Sequence, residues 1–424
     1  MSGKFKDWRR LALTLGGEVM QSGLHFALNL ALIALMTPRD YGAFAFTLVL
    51  GGVGITYLRS LTAIPASSFI GRARFAAAKD FYEGAFGAAA LVLSLFMGVA
   101  AAVALTLAGC DAVAPGAMVV GLWSLRFHVR TVGYARGRPG AVMLGDTAFA
   151  VSGGLASAGA LALFSDRLTG VLLALAFANA ASMAALALAC GAWPRVDWRR
   201  RARVFYWRLA RRLAWSLFSV TTTILQGQGV AFLVVGFAGT DGYAPIAAML
   251  NLFAPLRIFA MSLSNLLQPE IARLTAAGDD AGWRRLRGVW TLRAMMIALL
   301  YGDLVFLAIP HVNLRSIQGQ PVMVVAVFAW ALYAIVLAYL MPRFLLESRM
   351  RYREVAQITV VGSAVTLGAT LGLLHLASPS YAILGGVLGE TIAAIATWRV
   401  AAGPLRAAPD PLRAEPSLAK RGLT

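Results

Sequence analysis

One face of the first long apolar segment carries a stripe of polar side chains. Glu18, Gln21, Ser22, His25 and Asn29 follow one another at helical spacing, so that all five share one face of an α-helix. A hydrogen-bonded seam between helices is one interpretation of such a stripe. Because two of the five groups are ionisable, the pattern favours the wall of a water-filled cavity. Glu18 and His25 are therefore candidate groups for coupling transport to an ion.

A second apolar segment, 113–134, contains two arginines one helical turn apart, Arg126 and Arg130. Arg126 lies about halfway along the segment, where it serves either as an anion site or in a buried ion pair, for example with Asp146. Arg130 lies nearer the end, where its side chain can also reach the polar interface. The matching segment 320–341 of the second half has no such charges, which predicts two chemically unequal halves.

A third basic residue, Arg257, follows Pro255 by two positions within the apolar segment 243–266. A proline inside a helix breaks it and frees carbonyl groups. No acid lies nearby in sequence, and phosphate oxygens fit the donor fork of an arginine. We therefore predict a diphosphate-binding cavity formed by Arg257, Arg126, Arg130, Gln21, Asn29, Gln226 and Asn251.

Two further acids, Asp303 and Glu390, stand alone in apolar segments. Each is either the structural partner of an arginine or a site for a coupling ion. Together with Glu18 and His25 they complete the set of coupling candidates.

The composition identifies the elements that position these residues. Of the 424 residues, 59% are hydrophobic and 13% are charged, against roughly a quarter charged in soluble domains. This excludes a soluble domain, a disordered chain and a fibre. Long continuous apolar runs predict helices rather than a barrel. The expected fold is an all-α polytopic membrane protein with about twelve spans, at 11–36, 41–58, 84–108, 113–134, 143–164, 168–192, 213–237, 243–266, 290–310, 320–341, 354–376 and 379–401.

The distribution of the 38 basic residues predicts the orientation. If the N-terminus is cytoplasmic, the external loops contain only Arg39, Arg167 and Arg315, as the positive-inside rule requires. Both termini are then cytoplasmic, and the membrane is the inner membrane if the chain is bacterial. The excess charge faces anionic membrane lipids. Nucleic acid is not an expected partner, because no basic groove interleaved with aromatic residues is present.

Similar strings recur in the two halves of the chain. The segment 71–80, GRARFAAAKD, is similar to 270–280, EIARLTAAGDD, and the order of features is the same in both halves. Each half has six spans, so we predict two six-helix lobes related by a parallel pseudo-repeat with a cavity between them. The expected organisation is an N-terminal lobe (1–193), a basic cytoplasmic linker (194–212), a C-terminal lobe (213–401) and a flexible cytoplasmic tail (402–424).

Twelve spans, the sequence TPRDYGAFAFTLVL after the first span, and NLLQPEIARLTAAGDD at the close of the eighth resemble the bacterial polysaccharide flippases. These O-antigen and exopolysaccharide repeat-unit translocases belong to the multidrug/oligosaccharidyl-lipid/polysaccharide exporter superfamily. The resemblance implies alternating access, a cationic cavity, and export of an undecaprenyl-diphosphate-linked glycan for surface polysaccharide synthesis. It also implies glycan polymerase and export machinery as partners. Lipid II flippases usually have two further C-terminal helices, which argues against that branch.

Two other classes remain as alternatives. A multidrug or organic-cation antiporter of the same superfamily would need acids rather than arginines in its cavity. A membrane-bound glycan-assembly enzyme would need acidic residues in a large external loop, whereas the first external loop offers only Asp40. The chain has no Walker A sequence and no metal-ligating cysteine pair, so we expect neither enzyme activity nor a cofactor.

Overall fold

The computed structural model describes residues 2–191, 194–311, 317, 319–349 and 351–402. Every regular element in these residues is helical. The predicted tail, apart from Ala402, and the predicted external Arg315 lie outside the described residues.

The N-terminal half begins with a long helix and continues with six more, two of them joined by a π-helical turn. Thr37 caps α2 by accepting a hydrogen bond from the Asp40 N–H at 3.2 Å, and Pro38 in the first turn suits a helix start. The helices are α1 (Ser2–Leu35), α2 (Pro38–Leu58), the π-helical turn (Arg59–Ala63), α3 (Ile64–Arg72), α4 (Ala76–Leu107), α5 (Val113–Ala135), α6 (Pro139–Leu163) and α7 (Arg167–Cys190).

The C-terminal half follows the basic linker. Gly239 interrupts α9 with φ 71° and ψ −177°, a conformation that glycine adopts readily, and this kink separates two of the predicted spans. The elements are α8 (Arg200–Arg212), α9 (Ala214–Leu252), α10 (Ala254–Ala277), α11 (Asp280–Ala308), a 3₁₀ turn (Ile309–His311), α12 (Val322–Ser348), α13 (Tyr352–Leu376), a second 3₁₀ turn (Pro379–Ala382) and α14 (Ile383–Ala401).

Ten helical stretches of the described chain are long and apolar enough to cross a membrane. The other two predicted spans fall on α5, which contains two arginines, and on the stretch from the Gly239 kink to the polar helix α10. The all-α polytopic fold is thus confirmed.

Several predicted span edges differ from the helix ends. The helices of the spans predicted to start at 84 and 290 begin at Ala76 and Asp280. The span predicted to stop at 58 continues through the π-helical turn to Arg72, and the span predicted to stop at 341 continues to Ser348. The extension after 58 begins with Arg59, and the one after 341 begins with Pro342 and Arg343. A hydropathy criterion ends a span at such residues, although the backbone hydrogen bonding remains helical. The segment 320–341 contains no charged residue, as predicted, and the helical extension beyond it adds Arg343 and Glu347.

The inter-helix turns lie alternately at two ends of the bundle. At one end, which we call the far end, Arg39 donates to the Gly109 carbonyl at 2.8 Å and Arg167 donates to the Leu35 carbonyl at 2.9 Å. At the other end, which we call the α8 end, Arg138 donates to the Cys190 carbonyl at 2.7 Å. Both cysteines, Cys110 and Cys190, are free, as expected for positions at opposite ends.

Helices α1–α7 pack against one another, and α9–α14 form a second packed group. The two groups meet mainly where α2 lies along α9. The rings of Phe46 and Phe232 contact edge to face with centroids 6.0 Å apart, and the Tyr57 and Thr221 hydroxyls are 3.0 Å apart nearer the α8 end. The predicted domain boundaries stay predictions, with α8 inside the expected linker.

Candidate functional site

The two intramembrane arginines of α5 share one buried carboxylate. Arg126 donates to Asp146 Oδ1 at 2.8 Å, and Arg130 donates to Asp146 Oδ2 at 2.9 Å. Arg130 also pairs with Glu18 of α1 at 2.8 Å. The Asp146 side chain is 1% exposed and that of Arg126 is 3% exposed. Two cations therefore face two carboxylates in a charge-balanced cluster, which we call the N-lobe ion cluster.

The remaining contacts of Arg126 hold its guanidinium in place. Its Nε donates to the Ser182 hydroxyl at 2.8 Å, and its Nη2 donates to Gln21 Oε1 at 3.2 Å. The guanidinium lies 4.0 Å from the centre of the Phe149 ring. A side chain added at Gly17 would collide with the Asp146 carboxylate, so this glycine lets α1 approach. In this arrangement Arg126 has the ion-pair role that the sequence left open.

Arg257 differs from the α5 arginines because its side chain is exposed. Within the described part of the chain, no carboxylate oxygen lies within 4 Å of its guanidinium. Arg257 follows Asn251 by six positions, and the Asn251 side chain contacts Asn29 of the N-terminal lobe. The start of α10 therefore lies close to the contact between the lobes.

The helix break just before Arg257 is where Pro255 was expected to produce one. α9 ends at Leu252, and α10 starts two residues later with the proline in its first turn. Carbonyls freed by such a break need donors, and two tyrosines supply them. Tyr301 donates to the Leu252 carbonyl at 2.8 Å, and Tyr333 donates to the Leu250 carbonyl at 3.4 Å.

A hydrogen-bonded triad joins the two lobes in the half of the bundle nearer the far end. Asn251 Nδ2 donates to Asn29 Oδ1 at 2.9 Å and to the Tyr41 hydroxyl at 3.1 Å, and that hydroxyl donates to Asn29 Oδ1 at 3.3 Å. Two predicted site residues, 222 positions apart, are thus brought together. Tyr41 was not predicted, and its place in the turn sequence after α1 was the available signal.

The C-terminal lobe has its own polar cluster, which we call the C-lobe polar cluster. Gln226 donates to Glu390 Oε1 at 3.0 Å, and Tyr339 donates to Glu390 Oε2 at 2.6 Å. Arg343 lies one turn beyond Tyr339 and pairs with Glu347 at 3.3 Å. A small cavity adjoins Gln226, Tyr339 and Arg343. The predicted residues Gln226 and Glu390 meet here, whereas the roles of Tyr339 and Arg343 were missed.

The last two coupling candidates lie apart from these clusters. The His25 ring stacks on Trp123 with centroids 4.9 Å apart and lies 5.5 Å from Phe149. Neither nitrogen of the ring has a hydrogen-bond partner among the described residues. Asp303 is exposed on a face of α11 that also exposes Leu300 and Leu304, and it is not brought to the other predicted residues. Over the described ranges, no group of His, Cys, Asp and Glu side chains could hold a metal ion.

No protein-family model and no curated protein sequence matches the chain. Solved structures do match. An inward-facing multidrug resistance MATE family transporter of the MOP superfamily aligns with a TM-score of 0.67 at 12% identity, over 93% of this chain and 97% of that chain. The lipid II flippase MurJ in an inward closed conformation aligns with a TM-score of 0.63 at 9% identity, over 93% and 88%.

The degree of structural similarity depends on the conformation of the matched transporter. An outward-facing MATE family transporter of the MOP superfamily aligns with a TM-score of 0.52 at 14% identity, over 93% of this chain and 94% of that chain. The inward-facing structure is thus the more similar of the two. The chain therefore has the two-lobed, all-α fold that these transporters and this flippase share.

Proposed function

We propose that the chain is an alternating-access flippase that moves a polyprenyl-diphosphate-linked oligosaccharide across the bacterial inner membrane, from the cytoplasmic to the periplasmic leaflet. The fold it shares with a lipid II flippase and with MATE transporters supports a transport function. In this proposal the α8 end is cytoplasmic. The exposed arginines of α8 support that orientation by the positive-inside rule, and they are Arg200, Arg201, Arg203, Arg208 and Arg211.

The observation that carries the proposal is the difference in charge compensation between Arg257 and the arginines of α5. The arginines of the N-lobe ion cluster are balanced by Asp146 and Glu18, whereas Arg257 is exposed and faces no described carboxylate at ion-pair distance. An exposed arginine with no carboxylate at ion-pair distance suits a diphosphate, because its fork of donors matches phosphate oxygens. An organic cation would be repelled at the same place.

The predicted site residues divide into three roles. Arg257 contacts the diphosphate. Arg126, Arg130 and Gln21 hold α1 against α5 and α6 and so shape the cavity wall. The remaining amides act elsewhere: Asn29 and Asn251 join the lobes, and Gln226 orients Glu390.

Among the coupling candidates, Glu390 is the best placed to exchange a proton. Its two described hydrogen-bond partners, Gln226 and Tyr339, are neutral. Glu18 is instead paired with Arg130. Protonation of Glu18 would remove one of the two carboxylates that compensate the charge of Arg130. We propose that Glu390 takes up and releases the proton that couples transport to a proton gradient.

Translocation in proteoliposomes tests the diphosphate contact. The purified full chain is reconstituted with an undecaprenyl-diphosphate oligosaccharide, and an impermeant glycosidase reports which sugars have crossed. Removing a hydrogen bond to a charged group costs about 1.5–3 kcal/mol, so Arg257→Gln should slow translocation about ten- to hundredfold. Arg257→Lys should retain part of the rate. Arg284→Gln is the matched control, because Arg284 is exposed and donates only weakly, to a backbone carbonyl at 3.4 Å.

A specific observation also favours the organic-cation antiporter as a second candidate. Glu18 is 53% exposed, so an acidic side chain is accessible beside α1 as an organic cation would require. A matched MATE structure is also named as a multidrug resistance transporter. The same vesicles separate the two candidates. Efflux of an organic cation that is lost in Glu18→Gln, without sugar movement, would establish the antiporter and refute the flippase.

A further inference from the structure

A cavity of about 600 Å³ lies within the N-terminal lobe, and Arg257 is not among its lining residues. It is enclosed by α4, α5 and α7 and by residues 194–196 of the linker. Its volume falls within the range of about 300–1,000 Å³ that small-molecule ligand sites occupy. Its wall is mostly apolar, with Leu125, Val129 and Ala184 among the lining residues. None of the roles proposed above uses this cavity.

The charged residues of the cavity gather at the α8 end. Arg136 pairs with Asp80 at 2.7 Å and contacts Glu83, and Arg195 pairs with Asp80. Arg138 is exposed and donates to the Cys190 carbonyl at 2.7 Å. No carboxylate of the described segments lies within 4 Å of the Arg138 guanidinium. Arg136 and Arg195 are thus each paired with a carboxylate, which leaves Arg138 as the arginine at this mouth available to bind an anion.

The linker closes one side of the cavity because two glycines of α4 let it approach. The Asp197 N–H donates to the Gly84 carbonyl at 2.9 Å. A side chain at Gly87 would collide with the Arg195 carbonyl, and a Cβ at Gly84 would lie 2.8 Å from the Asp197 Cβ. The spacing of these glycines by three residues places both on one face of α4. The wall made by the linker is therefore a packed feature of the fold.

The depth of the cavity matches one leaflet of a bilayer. Its lining runs along α4 from Glu83 to Leu91 and along α5 from Leu125 to the following Arg136. At 1.5 Å per residue these stretches are about 12 Å and about 16 Å long, and half of a hydrocarbon core is about 15 Å. Leu91, at the deep end, is 39% exposed, so the cavity reaches the outer surface of the helix bundle.

We propose that this cavity binds a membrane phospholipid with a singly charged anionic headgroup. One acyl chain fills the apolar space between α5 and α7, and the phosphate binds Arg138 at the mouth. A lipid of the surrounding leaflet fits better than a long polyprenyl tail, because the cavity ends at mid-membrane. The bound lipid contacts residues 194–196, so its occupancy stabilises the linker between the lobes.

Binding is tested on the full purified chain by native mass spectrometry with phosphatidylglycerol and phosphatidylcholine that have identical acyl chains. The parent should prefer phosphatidylglycerol. Arg138→Gln removes a charge-assisted hydrogen bond, so it should weaken phosphatidylglycerol binding about tenfold and abolish the preference. Arg284→Gln, which removes an exposed arginine that also donates to a backbone carbonyl, should leave both unchanged.

A phosphatidylglycerol with a photoreactive group at the end of its acyl chain tests the apolar part of the site. Crosslinked peptides should come from α5 and α7, and Ala184→Phe, which fills the cavity, should reduce their yield while thermal melting reports that the variant is folded. An unchanged lipid preference in Arg138→Gln, or crosslinks confined to other helices, would overturn the assignment. Displacement of the probe by undecaprenyl diphosphate at lower concentrations than by phosphatidylglycerol would also overturn it, because the cavity would then hold the transported lipid.

Discussion

The triad of Asn29, Tyr41 and Asn251 should hold the lobes together in the half of the bundle nearer the far end. Within the triad, Asn251 supplies the two hydrogen bonds that cross between the lobes, at 2.9 Å and 3.1 Å. Tyr41 is fully buried, and Asn29 is 3% exposed. Asn251→Leu keeps a side chain of similar size and removes both donors. We expect this change to favour the conformation that opens at the far end.

The size of the shift follows from the bonds that are lost. A hydrogen bond contributes about 0.5–1.5 kcal/mol net, so two of them contribute about 1–3 kcal/mol. That free energy corresponds to a change of about 5- to 150-fold in the ratio of the two conformations. The loss applies only to the conformation closed at the far end, because the three side chains separate when the lobes part there.

Pulsed electron–electron spin resonance measures this ratio. Spin labels are attached to introduced cysteines after both native cysteines are replaced by serine. One pair of labels, at Asp111 and His311, spans the far end, and a second pair, at Arg74 and Ala277, spans the α8 end; all four positions are exposed. In Asn251→Leu the long-distance population should grow across the far end, and the distance across the α8 end should shorten.

Asn179→Leu is the control for loss of a buried asparagine. Asn179 is 2% exposed and donates to the Leu175 carbonyl of its own helix at 2.8 Å, so it makes no bond between the lobes. It should lower the melting temperature without moving either distance distribution. If Asn251→Leu behaves in the same way, the triad only stabilises the fold, and the reasoning about a gate is refuted.

Three other perturbations have defined outcomes. Tyr57→Phe removes the hydroxyl contact with Thr221 nearer the α8 end, so the same spin labels should report a shift in the opposite direction, of about two- to tenfold. Gly42→Ala places a methyl group against the backbone of the facing lobe and should open the far end, as the far-end labels would show. Arg126→Met leaves Asp146 with one cation and should destabilise the fold by about 3–5 kcal/mol, measured by thermal or denaturant unfolding against Arg284→Met.

Much of the helical architecture could be predicted from apolar run length. The span predicted at 113–134 is α5 (Val113–Ala135), and the break expected from Pro255 is present. The prediction was wrong at polar helix ends. The residues between Arg59 and Arg72 continue α2 because a π-helical turn keeps the backbone bonded, and hydropathy contains no information about such a turn.

The types of residue in the site could be predicted from the sequence, but most of the contacts between them could not. Asp146 was a predicted partner of Arg126, and the structure places Arg126 Nη2 at 2.8 Å from Asp146 Oδ1. It could not show that Arg130 shares the same carboxylate, because that depends on how α5 and α6 pack. The contact between Asn29 and Asn251 depends on the docking of two lobes that are far apart in sequence.

The two lobes place different side chains at corresponding positions of α5 and α12. On α5, Arg126 and Arg130 stand one turn apart, and on α12, Tyr339 and Arg343 stand one turn apart at a matching place in the second half. The α5 pair compensates a buried aspartate with two cations, and breaking such a pair is strongly destabilising. The N-lobe ion cluster is therefore suited to a fixed structural role.

Around Glu390 the corresponding donors are a tyrosine and a glutamine. These groups hydrogen-bond a carboxylate without neutralising it, and Tyr and Gln side chains can also accept from a protonated carboxyl group. Glu390 can thus gain a proton while its neighbours remain hydrogen-bonded, whereas protonation of Asp146 would leave Arg126 without a described carboxylate partner. In the proposed flippase, the tyrosine at the first of these two positions suits the C-lobe polar cluster to respond to a proton gradient, and Arg257 binds the anion.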